Sequence, residues 1–218
     1  MLSCPPMPVF LKQDQRPVLF VHVPKAGGSS FSSVMVSCGW RELYSIRGLH
    51  ADALAFARCS PQHWHAEILD WMFKRDCFAH IVAVFRDPFE RFMSEYRWQS
   101  HQGMTSMRPA EWTAFVIDSC LRDPYIFDNH IRPQSDFVLE GASLYRLESE
   151  GLAKALRQCL GHAFPIPGAH DPDGVPVVLP RLKQTEHQSP LRDQFEALRP
   201  YIEDFYRRDY DLLASCCD

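Results

Sequence analysis

Two patterns of apolar positions alternate along the chain. Short unbroken apolar runs at Val18 to Val23 and at His80 to Phe85 (HIVAVF) predict buried strands. Trp40 to Arg47, Ser135 to Leu139 and Ser143 to Leu147 are further strand candidates. Between them, apolar residues recur every three or four positions. Phe31, Val34 and Met35 predict a helix over 31–38, and His65, Ile68, Leu69 and Met72 predict one inside Gln62 to Arg75, opened by Ser60-Pro61. The alanine-rich His50 to Arg58, Pro109 to Cys120 and Glu148 to Leu160 also read as helical. After HIVAVF, Asp87 as N-cap, Pro88 in the first turn and Glu90 three residues past the cap mark a strong helix start, with Phe89, Phe92, Met93 and Tyr96 on its buried face. Ser189-Pro190 opens a last helix whose stripe runs through Leu191, Phe195, Leu198, Ile202 and Phe205. Alternating strands and helices predict an α/β class with a mostly parallel sheet. Residues 1–16 read as an N-terminal extension and 17–218 as one domain. The proline- and glycine-rich Phe164 to Pro190 is long for a loop, and predicts a functional cover or an excursion.

Chemistry concentrates first where the strand at 18–23 meets the helix at 31–38. The turn between them, Pro24-Lys25-Ala26-Gly27-Gly28-Ser29-Ser30, holds one lysine, two glycines and two hydroxyls. Free backbone N–H groups at a helix start attract anions, and glycine lets the backbone approach them closely. Lys25 adds a full charge, and Ser29 and Ser30 add donors. The segment therefore reads as a phosphate cradle. It differs from the nucleoside-triphosphate loop, in which Lys-Ser/Thr follows the last glycine. A second constellation follows HIVAVF. Arg86 closes that strand, where open α/β sheets bind ligands, and Ser94 lies eight residues on, two turns into the next helix. Both can converge on one phosphate, with Arg91 nearby.

Pro-Lys-x-Gly-Gly-Ser-Ser resembles the 5′-phosphosulfate loop of sulfotransferases, which use 3′-phosphoadenosine 5′-phosphosulfate (PAPS). Arg86 to Tyr96, RDPFERFMSEY, looks like their 3′-phosphate motif. Gln62-His63-Trp64-His65 resembles the His-x-His segment that supplies the base in uronyl 2-O-sulfotransferases of glycosaminoglycan synthesis. Asp128 to Ser135, DNHIRPQS, resembles an Asn-x-His-x-x-Pro-Gln segment of carbohydrate sulfotransferases, and Tyr145-Arg146-Leu147-Glu148 and Tyr206 to Tyr210 also fit. The resemblance runs from about Val18 to Tyr210. It implies a P-loop-like three-layer fold, a sulfuryl transfer to an acceptor hydroxyl, and no metal. It implies that Lys25 is catalytic at the bridging oxygen and that Ala26 to Ser30 hold the 5′-phosphate. Arg86 and Ser94 then hold the 3′-phosphate, Arg181 and Lys183 close over the nucleotide, and His130, Arg132 and Gln134 line the acceptor pocket. It favours His65 as base, with His63 in support. On a continuous helix these two histidines point about 200° apart, whereas an extended segment lets both face one hydroxyl.

Composition narrows the partners. At 218 residues the chain is long enough for one sizeable core, and 46% hydrophobic with 23% charged residues is globular composition. A net charge of −4 argues against nucleic acid as the main partner. No apolar run reaches the roughly 20 residues a membrane helix needs. The first sixteen residues lack the basic start of a secretory signal, and the eight scattered cysteines form no C-x-x-C pair. A cytoplasmic enzyme acting on a small-molecule or saccharide acceptor is expected. The Golgi members of the family carry an amino-terminal anchor that is not seen here, which points away from their polymer substrates. Two other readings compete: an ATP-dependent small-molecule kinase, and a nucleotide-binding module without catalysis.

Overall fold

The computed structural model describes residues 8–44, 56–161 and 190–215. Five strands form one open sheet in the order β3-β1-β2-β4-β5. They are β1 (Val9–Leu11), β2 (Val18–Val21), β3 (Arg41–Leu43), β4 (His80–Phe85) and β5 (Ser143–Arg146). β2 pairs parallel with β4, and β4 with β5, whereas β1 runs antiparallel to both β2 and β3. β1 alone is reversed, so the other four strands share one direction. The expected extension over 1–16 is thereby corrected: Val9–Leu11 is an integral strand, with Phe10 fully buried. Its three residues are too short to show a period, and the prolines before them mask it.

Side chains of β2 and β4 alternate between the two faces, as the twofold pleat demands. Val18, Phe20, Val82 and Val84 pack against α1 (Gly28–Ser37) and α5 (Gly151–Leu160). Phe20 and Phe31 stack with ring centroids 4.1 Å apart. Leu19, Val21, Ile81, Ala83 and Phe85 face the opposite way, onto Leu69 of α2 (Ala66–Met72) and Leu213 of α8 (Arg207–Ser215). Helices therefore cover both faces of a mixed α/β sheet. A third cluster joins α3 (Pro88–His101), α4 (Pro109–Arg122), α6 (Pro190–Glu196) and α7 (Arg199–Phe205) around Phe92, Trp112 and Tyr206.

Asp87 caps α3 as expected, its Oδ1 accepting from the Glu90 amide at 2.9 Å. Three other expectations change. Residues 134–137 form a 3-10 turn rather than a strand, because buried Asp209 of α8 accepts from the Gln134 and Ser135 amides at 2.8 and 2.9 Å and bends the chain there. The last helix is three helices, and Pro200 sits in the first turn of α7, where a missing N–H is harmless but mid-helix it is not. The helix expected from Gln62 begins only at Ala66, after a 3-10 turn at Pro61–His63 and two extended residues, Trp64 and His65. Of the helix expected over 50–58, residues 56–58 form a turn and bend and the rest lies outside the described residues; of the excursion expected over 164–190, only Pro190 is described, as the start of α6, and Arg181 and Lys183 lie outside.

Candidate active site

Because β2 and β4 are parallel neighbours, their C-terminal ends lie side by side. Val21 pairs with Ala83, so three residues further on Arg86 stands level with Pro24, beside Lys25. Arg86 Nη1 approaches the Lys25 carbonyl at 3.4 Å, and the Glu90 carboxylate is 4.0 Å from Nη2. Gln134 fixes this strand end: its Oε1 accepts from the Arg86 amide at 2.9 Å, and its Nε2 donates to the Arg86 carbonyl at 2.8 Å.

The turn after β2 has a backbone that few residues tolerate. Lys25 has φ 65° and Gly27 φ 90°. Left-handed backbone at a lysine is costly, so the surrounding packing must enforce it. Gly27 precedes α1, and no side chain caps that helix. The amides of Ser30 and Phe31 both turn back to the Gly27 carbonyl at 3.1 Å. Gly28 is required by space: a Cβ there would lie 2.1 Å from two atoms of the His22 ring. The loop is thus backbone-lined at a helix start, with one cation. Lys25 Nζ lies 5.1 Å from the centroid of the Trp98 ring. Burial lowers its ammonium from the ordinary value, and the Glu95 carboxylate opposes that shift.

This loop forms one wall of a cavity of about 830 Å³. Lys25, Gly27, Gly28, Ser29 and Ser30 line it, and Ser94 and Trp98 of α3 face it from the side. Ala26 does not; it is buried in the core beneath the loop. His22, packed under Gly28, and Gln62, His63, Phe127, Asp128 and His130 complete the lining.

The histidine wall is built by long-range pairs. His63 Nδ1 is 2.7 Å from Asp128 Oδ2. The same oxygen accepts from the Ser60 hydroxyl at 2.6 Å, and Oδ1 accepts from the Ser60 amide at 2.5 Å. Asn129 Nδ2 donates to the His63 carbonyl at 2.9 Å. Phe127, Asp128 and Asn129 all have positive φ, at 47°, 56° and 65°. Three consecutive left-handed residues are strained, and here they turn Asp128 toward His63. His130 Nδ1 lies 2.7 Å from Oε2 of Glu95, which is buried on α3 and also accepts from Gln99 Nε2 at 2.8 Å. Arg91, itself buried, donates to the His130 and Arg132 carbonyls at 3.0 and 2.8 Å, so α3 carries the whole 130–132 segment. The His63 and His130 rings meet edge to face at 4.7 Å, and His22 lies 4.9 Å from His63.

Electrostatics set the protonation states. Burial pushes the His63 imidazole below its ordinary value, opposed by its hydrogen bond to Asp128. Burial holds His22 well below it, with His63 and His130 adding to the shift. Burial alone would raise Asp128, but the His63 and Ser60 hydrogen bonds outweigh it and hold the carboxyl well below its usual range. Glu95 behaves alike: burial raises it, and the interaction with His130 wins. With Asp128 ionised and His63 neutral, Nδ1 must carry the proton it shares with the carboxylate. That leaves Nε2 of His63 as a lone-pair acceptor.

The structure separates the two histidines of the His-x-His segment. His63 lines the cavity. His65 is the N-cap residue of α2, buried outside the cavity lining, with Nε2 3.1 Å from the Tyr125 hydroxyl. Burial and the Arg132 charge lower its pKa. Of the expected acceptor residues, His130 lines the cavity. Arg132 is buried over the Tyr125 ring at 4.8 Å, and Gln134 braces the end of β4. His22, Glu95, Trp98 and Asp128 were not among the expected site residues. Glu95 had a signal: three positions after Phe92, it puts a carboxylate on the buried face of α3, where an ion needs a partner.

A family model described as Sulfotransferase family matches residues 8–214. No curated protein and no solved structure matches the chain.

Proposed function

The chain belongs to the sulfotransferase family, whose chemistry is sulfuryl transfer, and from that premise we propose that it takes the group from PAPS and delivers it to an acceptor hydroxyl, with a saccharide as the leading acceptor class. The observation that carries this reading is the meeting of the lysine loop, Ser94 and a carboxylate-held histidine at one cavity.

In this reading the amides at the start of α1, with Ser29 and Ser30, hold the 5′-phosphate. Arg86 and Ser94 hold the 3′-phosphate, a group that ATP lacks. Nε2 of His63 accepts the proton of the acceptor hydroxyl as its oxygen bonds to sulfur. The bond from sulfur to the bridging phosphate oxygen breaks at the same time, roughly in line. Lys25 neutralises the charge that develops on that oxygen, so the leaving product is adenosine 3′,5′-bisphosphate. Asp128 keeps His63 in the required tautomer and stabilises the imidazolium that forms. His130 faces the same volume and orients the acceptor. Trp98 packs between Lys25 and His130, its ring 5.2 Å from the imidazole, and sets their spacing. Arg181 and Lys183 remain candidates for closing over the nucleotide.

Calorimetric titration tests the donor assignment. Adenosine 3′,5′-bisphosphate should bind the wild type tightly, magnesium ATP weakly, and Arg86→Ala and Ser94→Ala should each lose affinity for the bisphosphate. Selective ATP binding that ignores Arg86→Ala would overturn the donor assignment and revive the kinase. Labelled sulfate should then pass from PAPS to a hydroxyl in a panel of saccharides and phenols. Donor binding without any turnover would favour the non-catalytic module.

A further inference from the structure

Two imidazoles face one cavity, and each is backed by a carboxylate. His63 Nδ1 rests on Asp128 and His130 Nδ1 on Glu95, both at 2.7 Å. The His130–Glu95 pair is the outer-shell arrangement that metal-ligating histidines use, in which the far ring nitrogen is held by a carboxylate and the ligating one is aimed, whereas His63 Nδ1 and Asp128 stand side by side as two ligands. One donor atom from each of His63, Asp128 and His130 lies within 4.8 Å of the other two. Donor atoms around four-coordinate zinc stand about 3.4 Å apart, so closing the set takes only small side-chain rotations.

We infer that His63, His130 and Asp128 form a site for a borderline-soft divalent cation of the zinc type, with water in the fourth position and Glu95 fixing His130 from behind. Two imidazoles and one carboxylate suit Zn²⁺, Co²⁺ or Ni²⁺, and disfavour Mg²⁺ and Ca²⁺, which want oxygen ligands. With His63 Nδ1 on the cation, the one proton of that imidazole moves to Nε2, so the lone pair there is lost. The cation is therefore an inhibitor rather than a cofactor, a consequence that rests on the sulfuryl-transfer reading; binding itself does not.

The test uses the full chain without donor or acceptor, so its failure is separate from failure of the function proposed above. Zn²⁺ is titrated by calorimetry with Mg²⁺ as control, and Co²⁺ by visible absorption. One equivalent of Zn²⁺ should bind, Co²⁺ should give the intense bands of a four-coordinate site, and Mg²⁺ should give no heat. Asp128→Asn and His130→Gln should each weaken Zn²⁺ by at least about tenfold, and Glu95→Gln by about tenfold to a hundredfold. X-ray absorption of the zinc-loaded wild type needs no variant, and should show nitrogen and oxygen ligands with imidazole scattering. Absence of binding, a thiolate shell, or an affinity unmoved in folded variants would overturn the site.

Discussion

The lysine loop and the histidine wall face each other across one cavity but are made differently. The loop is eight consecutive residues, 23–30, shaped by backbone: positive φ at Lys25 and Gly27, and a glycine where only hydrogen fits against His22. The wall is assembled from 60–65, 127–130 and α3, through pairs separated by 35 to 68 residues in sequence. A local device tolerates little change in its own residues and depends little on distant ones. An assembled one depends on every segment that supports it. The pair His63 and His65 shows this most directly: two positions apart, one meets the cavity and the other is sealed beneath Tyr125.

The largest effect should separate those two histidines. His63→Ala removes the lone pair that faces the cavity, and should lower kcat by about 10² to 10⁴ with bisphosphate affinity kept. His65→Ala should leave kcat within about tenfold and act mainly on stability. Steady-state kinetics with calorimetry on both variants decides it. Equal losses in kcat would show that the separation seen in the structure does not govern the chemistry.

Next in size is a break in the loop. Gly28→Ala forces a methyl within 2.1 Å of the buried His22 ring, so either the ring or the first turn of α1 must move. Such overpacking costs roughly 1–3 kcal/mol. It should appear as a lower Tm and as weaker bisphosphate binding together. Ser29→Ala, which leaves the backbone alone, should affect binding without the Tm change. A Gly28→Ala protein with wild-type Tm and affinity would remove the steric argument for this glycine.

The same contrast explains what could be read in advance. The shape of the loop was legible because strand, turn and helix start are contiguous in sequence. Asp87, Pro88 and Glu90 were legible for the same reason. The separation of the histidines was not. The apolar spacing His65, Ile68, Leu69, Met72 is genuine, but His65 ends the extended segment as N-cap instead of lying within the helix. What puts it there is the clasp of Ser60 and His63 by Asp128 and Asn129, in a turn more than 60 residues away. Asp128 was quoted within a motif yet given no role, because its left-handed backbone and its partner are both tertiary facts. Gln134 and Arg132, expected at the acceptor, serve the scaffold through contacts no spacing encodes. β1 escaped notice because three residues carry no period.

A third prediction uses pH. His22 and His63 have folded values below the ordinary 6.5, through burial. The unfolded chain therefore binds protons more readily as pH falls, and the stability these groups allow is complete above about 6.5 and lost below it. Each proton taken up only on unfolding contributes about 1.4 kcal/mol per pH unit in that window. Asp128, also depressed, adds its loss only at lower pH, below its unfolded value of 3.8. Melting curves between about pH 7.5 and about pH 4.5 should thus show a fall that belongs to His22, His63 and His65, all lowered by burial. His22→Asn should lessen its slope. A flat wild-type profile would mean the wall histidines are not held neutral by burial.

The smallest expected effect probes what keeps His65 out of the cavity. The Tyr125 hydroxyl is 3.1 Å from His65 Nε2, and its ring lies under both Arg58, at 4.3 Å, and Arg132. Tyr125→Phe keeps the ring and both cation contacts and removes one hydrogen bond from a buried imidazole. The expected cost is about 0.5–1.5 kcal/mol, visible as a small drop in Tm, with kcat and bisphosphate affinity unchanged. Were His65 the proton acceptor, freeing Nε2 would change kcat and its pH profile. A shift of the acid limb of kcat in Tyr125→Phe would therefore return the base to His65, and an unshifted limb with a lowered Tm would leave it at His63.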